Sequence, residues 1–220
     1  EIDTPLGVLE GRARDLFDHA REPESIRSGG TLVEQAGRIR RIVGRLATLS
    51  RRPLRAHRGI SPHEAVSVVL ELLNAESVRR SVRIQVDAER DLPEVLADPD
   101  QLEQVVLNLV RNALQATPDG GTVNIRLSTS ELKQAANEEA RPAIELSVID
   151  NGHGMNAATR ERAFDPFFTT RADIGATGLG LSVVKSIVDQ HRGTVVVESE
   201  LGSGTTVRVK LPAMVSGGSS

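Results

Sequence analysis

The 220-residue chain contains no cysteine. This absence excludes disulfide bonds, thiolate zinc sites and cysteine nucleophiles, and it is typical of a reducing compartment, so we expect a cytoplasmic location. Long hydrophobic runs are also missing, since none approaches the roughly 20 residues that cross a bilayer. The first residues lack the basic and apolar segments of a signal peptide.

A large excess of charge of one sign is missing too. The net charge is -3 at pH 7 and the pI is near 6.0, so the chain has no general electrostatic attraction for nucleic acid or anionic membranes. We therefore expect no nucleic-acid partner. The length suffices for two modest domains, each with a core of its own.

Aromatic residues are scarce: the chain has no tryptophan or tyrosine and only four phenylalanines. Three of the four, Phe164, Phe167 and Phe168, fall within five residues of each other. Aromatics in a glycine-flanked segment favour anchors that dock a mobile lid, although an apolar cluster under a long loop is an alternative.

Residues 1–53 have the pattern of two amphipathic helices, over about 4–21 and 32–49, joined by a segment with glycine and proline. Two lone helices cannot enclose a core. Their apolar faces are therefore expected to pack against a second copy, as antiparallel hairpins in a dimeric four-helix bundle. This predicts a homodimer.

Residues 54–59 have the composition of a linker, and residues 60–213 predict a second domain, followed by a flexible tail at 214–220. Helical periodicity and capping residues predict three helices: Ser61 to about Val78, Asp98 to before Pro118, and Leu181 to His191. Alternating patterns predict strands at 82–88, 122–128, 143–149, 194–198 and 205–211. Helices with mixed strands predict an α+β fold whose second domain is a two-layer α/β sandwich.

Asn108 and Asn112 lie one helical turn apart in an otherwise apolar helix, where asparagine is unfavourable. Two amides on one face can jointly hold a cation. A solvated polar face, shared with Gln101, Gln104 and Gln115, is the alternative.

Asp150 directly follows a predicted strand and is followed by Gly152 and Gly154, where a flat ligand could approach the backbone. A purine amino group would suit the carboxylate. An ordinary Asp-Asn-Gly turn is the alternative. His153 is interpreted as incidental, because no second metal ligand lies at suitable spacing.

Glycines at 175, 178 and 180 precede the last predicted helix, whose N-terminus and backbone amides could receive phosphate. The segment is neither a P-loop nor a dinucleotide fingerprint. Thr169, Thr170 and Arg171 lie just upstream and could also contact phosphate. A flexible linker and ordinary surface polarity are the alternatives.

Five segments in chain order resemble the N, G1, F, G2 and G3 boxes of sensor histidine kinases of two-component systems, in a nitrogen-regulator-like form. These segments are Asn108-Leu-Val-Arg-Asn112-Ala, Asp150-Asn-Gly-His-Gly154, Phe164-Asp-Pro-Phe-Phe-Thr-Thr170, Gly178-Leu-Gly180 and Gly202-Ser-Gly204-Thr205. The resemblance covers residues 60–213, and it implies the sandwich fold of the histidine kinase and gyrase type of ATPase.

The resemblance also implies ATP and Mg²⁺ as cofactors. Asn112 would ligate magnesium, Asp150 would accept the adenine amino group, and residues 155–180 would form the ATP lid. The backbone at Gly178, Leu179 and Gly180 would contact phosphates. The remaining residues expected to bind ATP are Asn108, Gln115, Gly152, Gly154, Thr169, Thr170, Arg171 and Thr205.

Two positions modify this expectation. Related ATPases have a water-activating glutamate at the position of Asn108, and an amide cannot accept a proton at neutral pH, so hydrolysis should be slow. Gln115 occupies a position where many family members have lysine, so Arg171 is expected to supply the cationic phosphate contact.

The family's phosphoacceptor histidine would immediately precede Glu1. By the same resemblance Glu1 would polarise that histidine and Thr4 would orient water, and capping of a helix start is the alternative reading of both. We expect this chain as given to bind ATP without phosphorylating itself.

The leading hypothesis is the catalytic core of a homodimeric sensor histidine kinase. It would pass phosphoryl groups from ATP through a histidine to the receiver domain of a response regulator, with possible phosphatase activity. An upstream sensor domain and an inner-membrane anchor are expected of the parent protein. The alternatives are an ATPase of the same superfamily and a noncatalytic ATP-binding dimerisation module.

Overall fold

The computed structural model of the chain describes residues 58–133, 139–170 and 177–214. The predicted helical hairpin, Glu1, Thr4, Arg171 and most of the predicted tail lie outside these residues. The described residues other than Thr177 belong to one compact unit.

Four helices and seven strands make up this part of the chain. The helices are α1 (Pro62–Arg79), α2 (Pro99–Ala116), α3 (Ala157–Glu161) and α4 (Gly180–Gln190). The strands are β1 (Arg58–Ile60), β2 (Arg83–Ala88), β3 (Val95–Ala97), β4 (Thr122–Leu132), β5 (Arg141–Asp150), β6 (Thr194–Glu200) and β7 (Gly204–Pro212).

Five strands form a mixed sheet in the order β2-β4-β5-β7-β6. Strands β2 and β4 are parallel, and the other three pairs are antiparallel. The register places Asp150 opposite Thr205, and Thr205 opposite Ser199. The end of β5, the start of β7 and the end of β6 therefore lie side by side. This line of strand ends is called the sheet edge.

The core lies between one face of this sheet and the helices. Alternate residues of the central strands are buried, as expected for a sheet with one covered face: Val123, Ile125, Leu127, Ile144, Leu146, Val148, Val207, Val209 and Leu211. Helix α2 contributes the buried stripe Leu102, Val105, Val106, Leu109, Val110, Ala113 and Leu114. The predicted two-layer sandwich is confirmed.

Both ends of α2 are capped. At its start, Pro99 takes the first helical position and the Asp98 carboxylate accepts a hydrogen bond from the Asp100 amide at 3.0 Å, a favourable arrangement at a helix N-terminus. At its end, the Arg80 guanidinium donates to the Thr117 carbonyl oxygen at 2.8 Å and to that of Leu114. This cation compensates the negative end of the helix dipole.

The structure differs from the sequence-based prediction in its short elements. Residues 58 and 59, interpreted as linker, belong to β1, which pairs with β3. A strand of three residues is too short to show an alternating pattern in the sequence. Helix α3 was not predicted inside the segment 155–180. Strands β4 and β5 are longer than predicted, because their pairing with each other continues to Leu132 and Arg141.

None of the helices within the described residues is long and apolar enough to span a membrane.

Candidate functional site

Asn112 on α2 lies directly against Gly180, the first residue of α4. A β-carbon added to Gly180 would lie 3.3 Å from Asn112 Nδ2 and 3.4 Å from Oδ1. Glycine at 180 therefore allows the amide to approach the N-terminus of α4, where backbone amides and the helix dipole favour negative charge. The structure brings these two predicted site residues together.

The polar flank of α2 is not a solvated face. Asn108 and Asn112 are half-buried, and only Gln115 of the predicted set is exposed. Asn108 Nδ2 and Gln101 Oε1 are buried without a hydrogen-bond partner among the described residues. Buried polar atoms without partners are costly and uncommon, so packing alone does not explain these two side chains.

The loop after β5 is fixed on both sides of Asp150. The buried Asp150 carboxylate accepts a hydrogen bond from the Gly152 amide at 2.9 Å, and Asn151 Oδ1 accepts one from the Thr122 amide at 2.8 Å. The His153 amide donates to the Ala116 carbonyl oxygen at the end of α2, at 3.2 Å. This loop is therefore attached to the asparagine-bearing helix, which an ordinary surface turn would not require.

Gly154 ends this loop in a conformation that requires glycine. Its φ is +64°, and an added β-carbon would lie 1.9 Å from the Glu200 carbonyl oxygen. The loop thus passes immediately beneath the β6–β7 turn. His153, interpreted as incidental, contributes its backbone carbonyl, which accepts a hydrogen bond from Gly202 at 2.8 Å.

A row of polar side chains crosses the sheet edge at Asp150, Thr205 and Ser199, which are directly paired neighbours. The Ser199 hydroxyl lies 2.9 Å from Thr205 Oγ1, accepts a hydrogen bond from the Met155 amide at 2.8 Å, and donates to the Gly204 carbonyl oxygen at 2.9 Å. Asp150 and Thr205 were predicted from the sequence, whereas Ser199 was not.

The phenylalanine segment lies against the glycine turn. Gly178 has a φ of +67°, and an added β-carbon would lie 2.4 Å from the Phe167 carbonyl carbon. Phe168 stacks on Arg162, whose guanidinium carbon lies 4.2 Å from the ring centroid. Phe167 is 54% exposed and has the unusual φ of +65°. An apolar cluster under a loop would not require an exposed aromatic residue in a strained backbone conformation.

The remaining predicted residues have different environments. Leu179 is fully buried, Thr169 is half-buried and Thr170 is exposed. Leu179 thus fixes the start of α4 by packing, while its carbonyl oxygen accepts a hydrogen bond from the Ser182 hydroxyl at 3.0 Å.

An open cleft of about 650 Å³ borders this site. Asp150, Met155, Ser199 and Thr205 line it, together with residues that the register places on the uncovered face of the sheet, such as Thr206. Residues of α2 and α4 do not line it. The cleft therefore marks only the Asp150 end of the site, and the contacts of Asn112 with Gly180 define the other end.

On the uncovered sheet face, Arg208 Nη1 lies 2.5 Å from Glu198 Oε1, and Arg208 Nε lies 3.8 Å from Glu145 Oε1. The hydrogen bond and charge of Arg208 lower the pKa of Glu198, and the hydrogen bond to Glu198 raises the pKa of Arg208. Within the described residues, no cluster of three or more histidine, aspartate or glutamate side chains could hold a metal ion.

Comparison with known proteins gives one family for this region. The family described as histidine kinase-, DNA gyrase B-, and HSP90-like ATPase matches residues 97–215. The sensor histidine kinase ZraS of Escherichia coli (strain K12) is 33% identical over 216 residues, which are 98% of this chain and 44% of that protein. The sensory histidine kinase/phosphatase NtrB of Escherichia coli O157:H7 is 37% identical over 213 residues, 96% of this chain and 59% of that protein.

This chain thus spans about half the length of these relatives. Among solved structures, full-length ShkA in complex with AMPPNP aligns with a TM-score of 0.71 and 26% identity. The alignment covers 96% of this chain and 44% of the ShkA chain.

Proposed function

We propose that this chain binds Mg-ATP and transfers its γ-phosphoryl group to a histidine. The chain belongs to the histidine kinase-, DNA gyrase B- and HSP90-like ATPase family and contains the ATP-binding catalytic domain of a sensor histidine kinase. From that histidine the phosphoryl group would pass to an aspartate in the receiver domain of a response regulator. The parent protein would be a homodimer, formed through residues 1–53, with an upstream sensor domain and a cytoplasmic catalytic region.

One observation carries this proposal: a buried carboxylate, Asp150, is fixed by its own loop at the sheet edge beside Thr205, while that loop is bonded to the helix that carries Asn112. A buried carboxylate repels anions and accepts hydrogen bonds, so it selects a ligand that carries a hydrogen-bond donor. The adenine amino group supplies such a donor, so Asp150 would bind the base with Gly152 and Gly154 beneath it.

The triphosphate would extend from this point towards α4. The backbone amides at Gly178, Leu179 and Gly180 lie at the N-terminus of that helix, which favours anions. The Asn112 amide oxygen is a hard donor suited to Mg²⁺, which usually takes few protein ligands and keeps substrate phosphates and waters. Bound there, Mg²⁺ would neutralise charge on the β- and γ-phosphates. Thr169, Thr170 and Arg171 in the proposed lid would add contacts to the phosphates.

Asn108 favours a kinase over a fast ATPase. Its side-chain nitrogen is buried, one helical turn before Asn112 on α2, and an amide cannot serve as a general base near neutral pH. Water in this position would not be deprotonated. Phosphoryl transfer depends mainly on alignment and charge neutralisation, which the amides and Asn112 supply.

Gln115 is exposed at the end of α2. We propose that it contacts nucleotide less strongly than the lysine typical of this position, and that Arg171 supplies the cation. Glu1 and Thr4 keep their predicted roles beside the acceptor histidine and in dephosphorylation of the response regulator.

The test is phosphotransfer with γ-labelled ATP. A variant with histidine placed before Glu1 should form an acid-labile phosphoprotein, and release of free phosphate should be slow. Asn112→Ala in that background should abolish the label. The control Gln190→Ala should retain it, because Gln190 is exposed at the end of α4 that lies away from Asn112. Rapid phosphate release without phosphoprotein would instead identify an ATPase. Nucleotide binding without either product would identify a noncatalytic module.

A further inference from the structure

Ser199 controls the direction of a hydrogen bond at the sheet edge. A hydroxyl has one hydrogen to donate and can accept two hydrogen bonds. Ser199 Oγ donates its hydrogen to the Gly204 carbonyl oxygen, because a carbonyl cannot donate. It also accepts from the Met155 amide. The remaining contact, with Thr205 Oγ1 at 2.9 Å, therefore requires Thr205 to be the donor.

The consequence is that Thr205 offers only lone pairs to a ligand beside Asp150. Its side chain projects from the same face of the sheet as Asp150, since the two residues are directly paired on neighbouring strands. The Asp150 carboxylate is also an acceptor. The two side chains nearest to the proposed base therefore present acceptors and no donor.

We propose that Ser199 is a specificity-determining residue, which makes Thr205 an acceptor and so selects an aminopurine over a ketopurine. Directly opposed side chains on neighbouring strands have β-carbons about 5 Å apart. One amino group that donates two hydrogen bonds of about 2.9 Å spans acceptors about 5 Å apart. The keto oxygen of hypoxanthine or guanine would face two acceptors and be repelled.

This inference rests on the proposed function, because it assumes that the base lies at Asp150. Ser199 need not touch the nucleotide: it acts by fixing the hydroxyl of Thr205. Without Ser199, that hydroxyl could rotate and donate to a keto oxygen. A purely structural role for Ser199 would weaken binding of all nucleotides alike, and would leave the preference between bases unchanged.

The experiment compares the dissociation constants of ADP and inosine 5′-diphosphate, with Mg²⁺, by calorimetry on the full chain. The preference for ADP is the dissociation constant of inosine 5′-diphosphate divided by that of ADP. For Ser199→Ala we expect this ratio to fall by about tenfold, the size expected when one hydrogen-bond mismatch is relieved. Ser199→Thr keeps a hydroxyl and should restore the ratio. An unchanged ratio in a folded Ser199→Ala protein overturns the proposal.

Thr205→Val provides a second measurement that does not depend on the folding of Ser199→Ala. It removes the hydroxyl itself, so the ratio should fall again, and adding Ser199→Ala should cause no further change. Retention of the full preference for ADP by Thr205→Val also overturns the proposal. If the unaltered chain binds neither nucleotide, the proposed function itself fails, and the two failures are therefore distinguishable.

Discussion

The side-chain amide of Asn112 and the α-carbon of Gly180 face each other across the contact between α2 and α4, at a distance that leaves no room for a relaxed β-carbon. The amide is thereby held at the N-terminus of α4. This proximity would couple the proposed magnesium ligand to the proposed phosphate-binding turn.

We predict that Gly180→Ala separates binding from stability. Alanine favours a helix interior over glycine by about 1 kcal/mol, and the first position of a helix, where Gly180 lies, by less, whereas its methyl group would displace the Asn112 amide by a few tenths of an ångström. The free energy of unfolding should change by less than about 1 kcal/mol, since these effects oppose each other. The affinity for Mg-ADP should fall by about tenfold, the effect of a lost hydrogen bond or ligand contact.

Calorimetry with and without EDTA tests this prediction. The loss should be confined to the magnesium-dependent part of the affinity, because Asp150 and Thr205 are unaltered. Equal losses with and without magnesium would mean that Asn112 has no role at the cation.

The structure also predicts a contrast between two glycines with positive φ. An added β-carbon at Gly154 would lie 1.9 Å from the Glu200 carbonyl oxygen, whereas one at Gly120 would have nothing within 4 Å. Gly120→Ala should cost about 1 kcal/mol, from backbone strain alone. Gly154→Ala should cost about 3 kcal/mol or more, because steric displacement of backbone is added.

Urea unfolding of both variants measures the difference. Gly120 is the matched control, since its φ of +82° imposes a similar backbone requirement. Equal destabilisation would show that the loop after Asp150 can move away from the β6–β7 turn without penalty.

Arg80 should stabilise the fold, because its guanidinium donates hydrogen bonds to two carbonyl oxygens at the end of α2. Arg80→Met should lower the free energy of unfolding by about 2 kcal/mol, the scale for hydrogen bonds to a charged group. The control is Arg126→Met, which removes an exposed pair with Asp87 and should cost less than about 1 kcal/mol. Similar losses in thermal or urea unfolding would contradict the capping role.

The Glu198–Arg208 pair predicts a pH effect with a definite sign. Arg208 lowers the pKa of Glu198 below its ordinary value of 4.5, so the pair contributes stability above the unfolded-state pKa and loses it as pH falls through the folded-state pKa. Because the Glu198 side chain is exposed, the effect should be small and weakened by salt. An NMR titration should show the pKa of Glu198 rising in Arg208→Gln. A pKa that is unchanged in that variant would contradict this assignment.

The long elements of the fold could be predicted because their patterns are local. Asp98, Pro99 and the apolar repeat determine α2, and alternation determines the central strands. The three-residue strands β1 and β3 and the five-residue α3 could not be predicted, since they are too short for a period. The parallel pairing of β2 with β4 depends on tertiary packing that no local pattern specifies.

Residues of the candidate site could be named from the sequence where they lie in motifs. Asp150, Asn112, Gly180 and Thr205 lie in segments of recognisable composition, and the structure brings them into two connected groups. Arg80 gave no signal, because it reaches carbonyl groups 34 and 37 residues away. Ser199 gave a weak one: it follows Val195 and Val197 on the covered face of β6, so a hydroxyl there interrupts an apolar alternation.

Binding of adenine nucleotide at Asp150 is tested most directly by titrating the chain with Mg-ADP in a calorimeter, alongside Asp150→Asn and the matched control Asp87→Asn. Asp87 is an exposed carboxylate on the edge strand β2. We expect binding by the unaltered chain and by Asp87→Asn. Asp150→Asn should lose about tenfold or more in affinity, because its amide would leave the adenine amino group poorly paired. Equal affinity of all three proteins, or no binding by the folded unaltered chain, would contradict it.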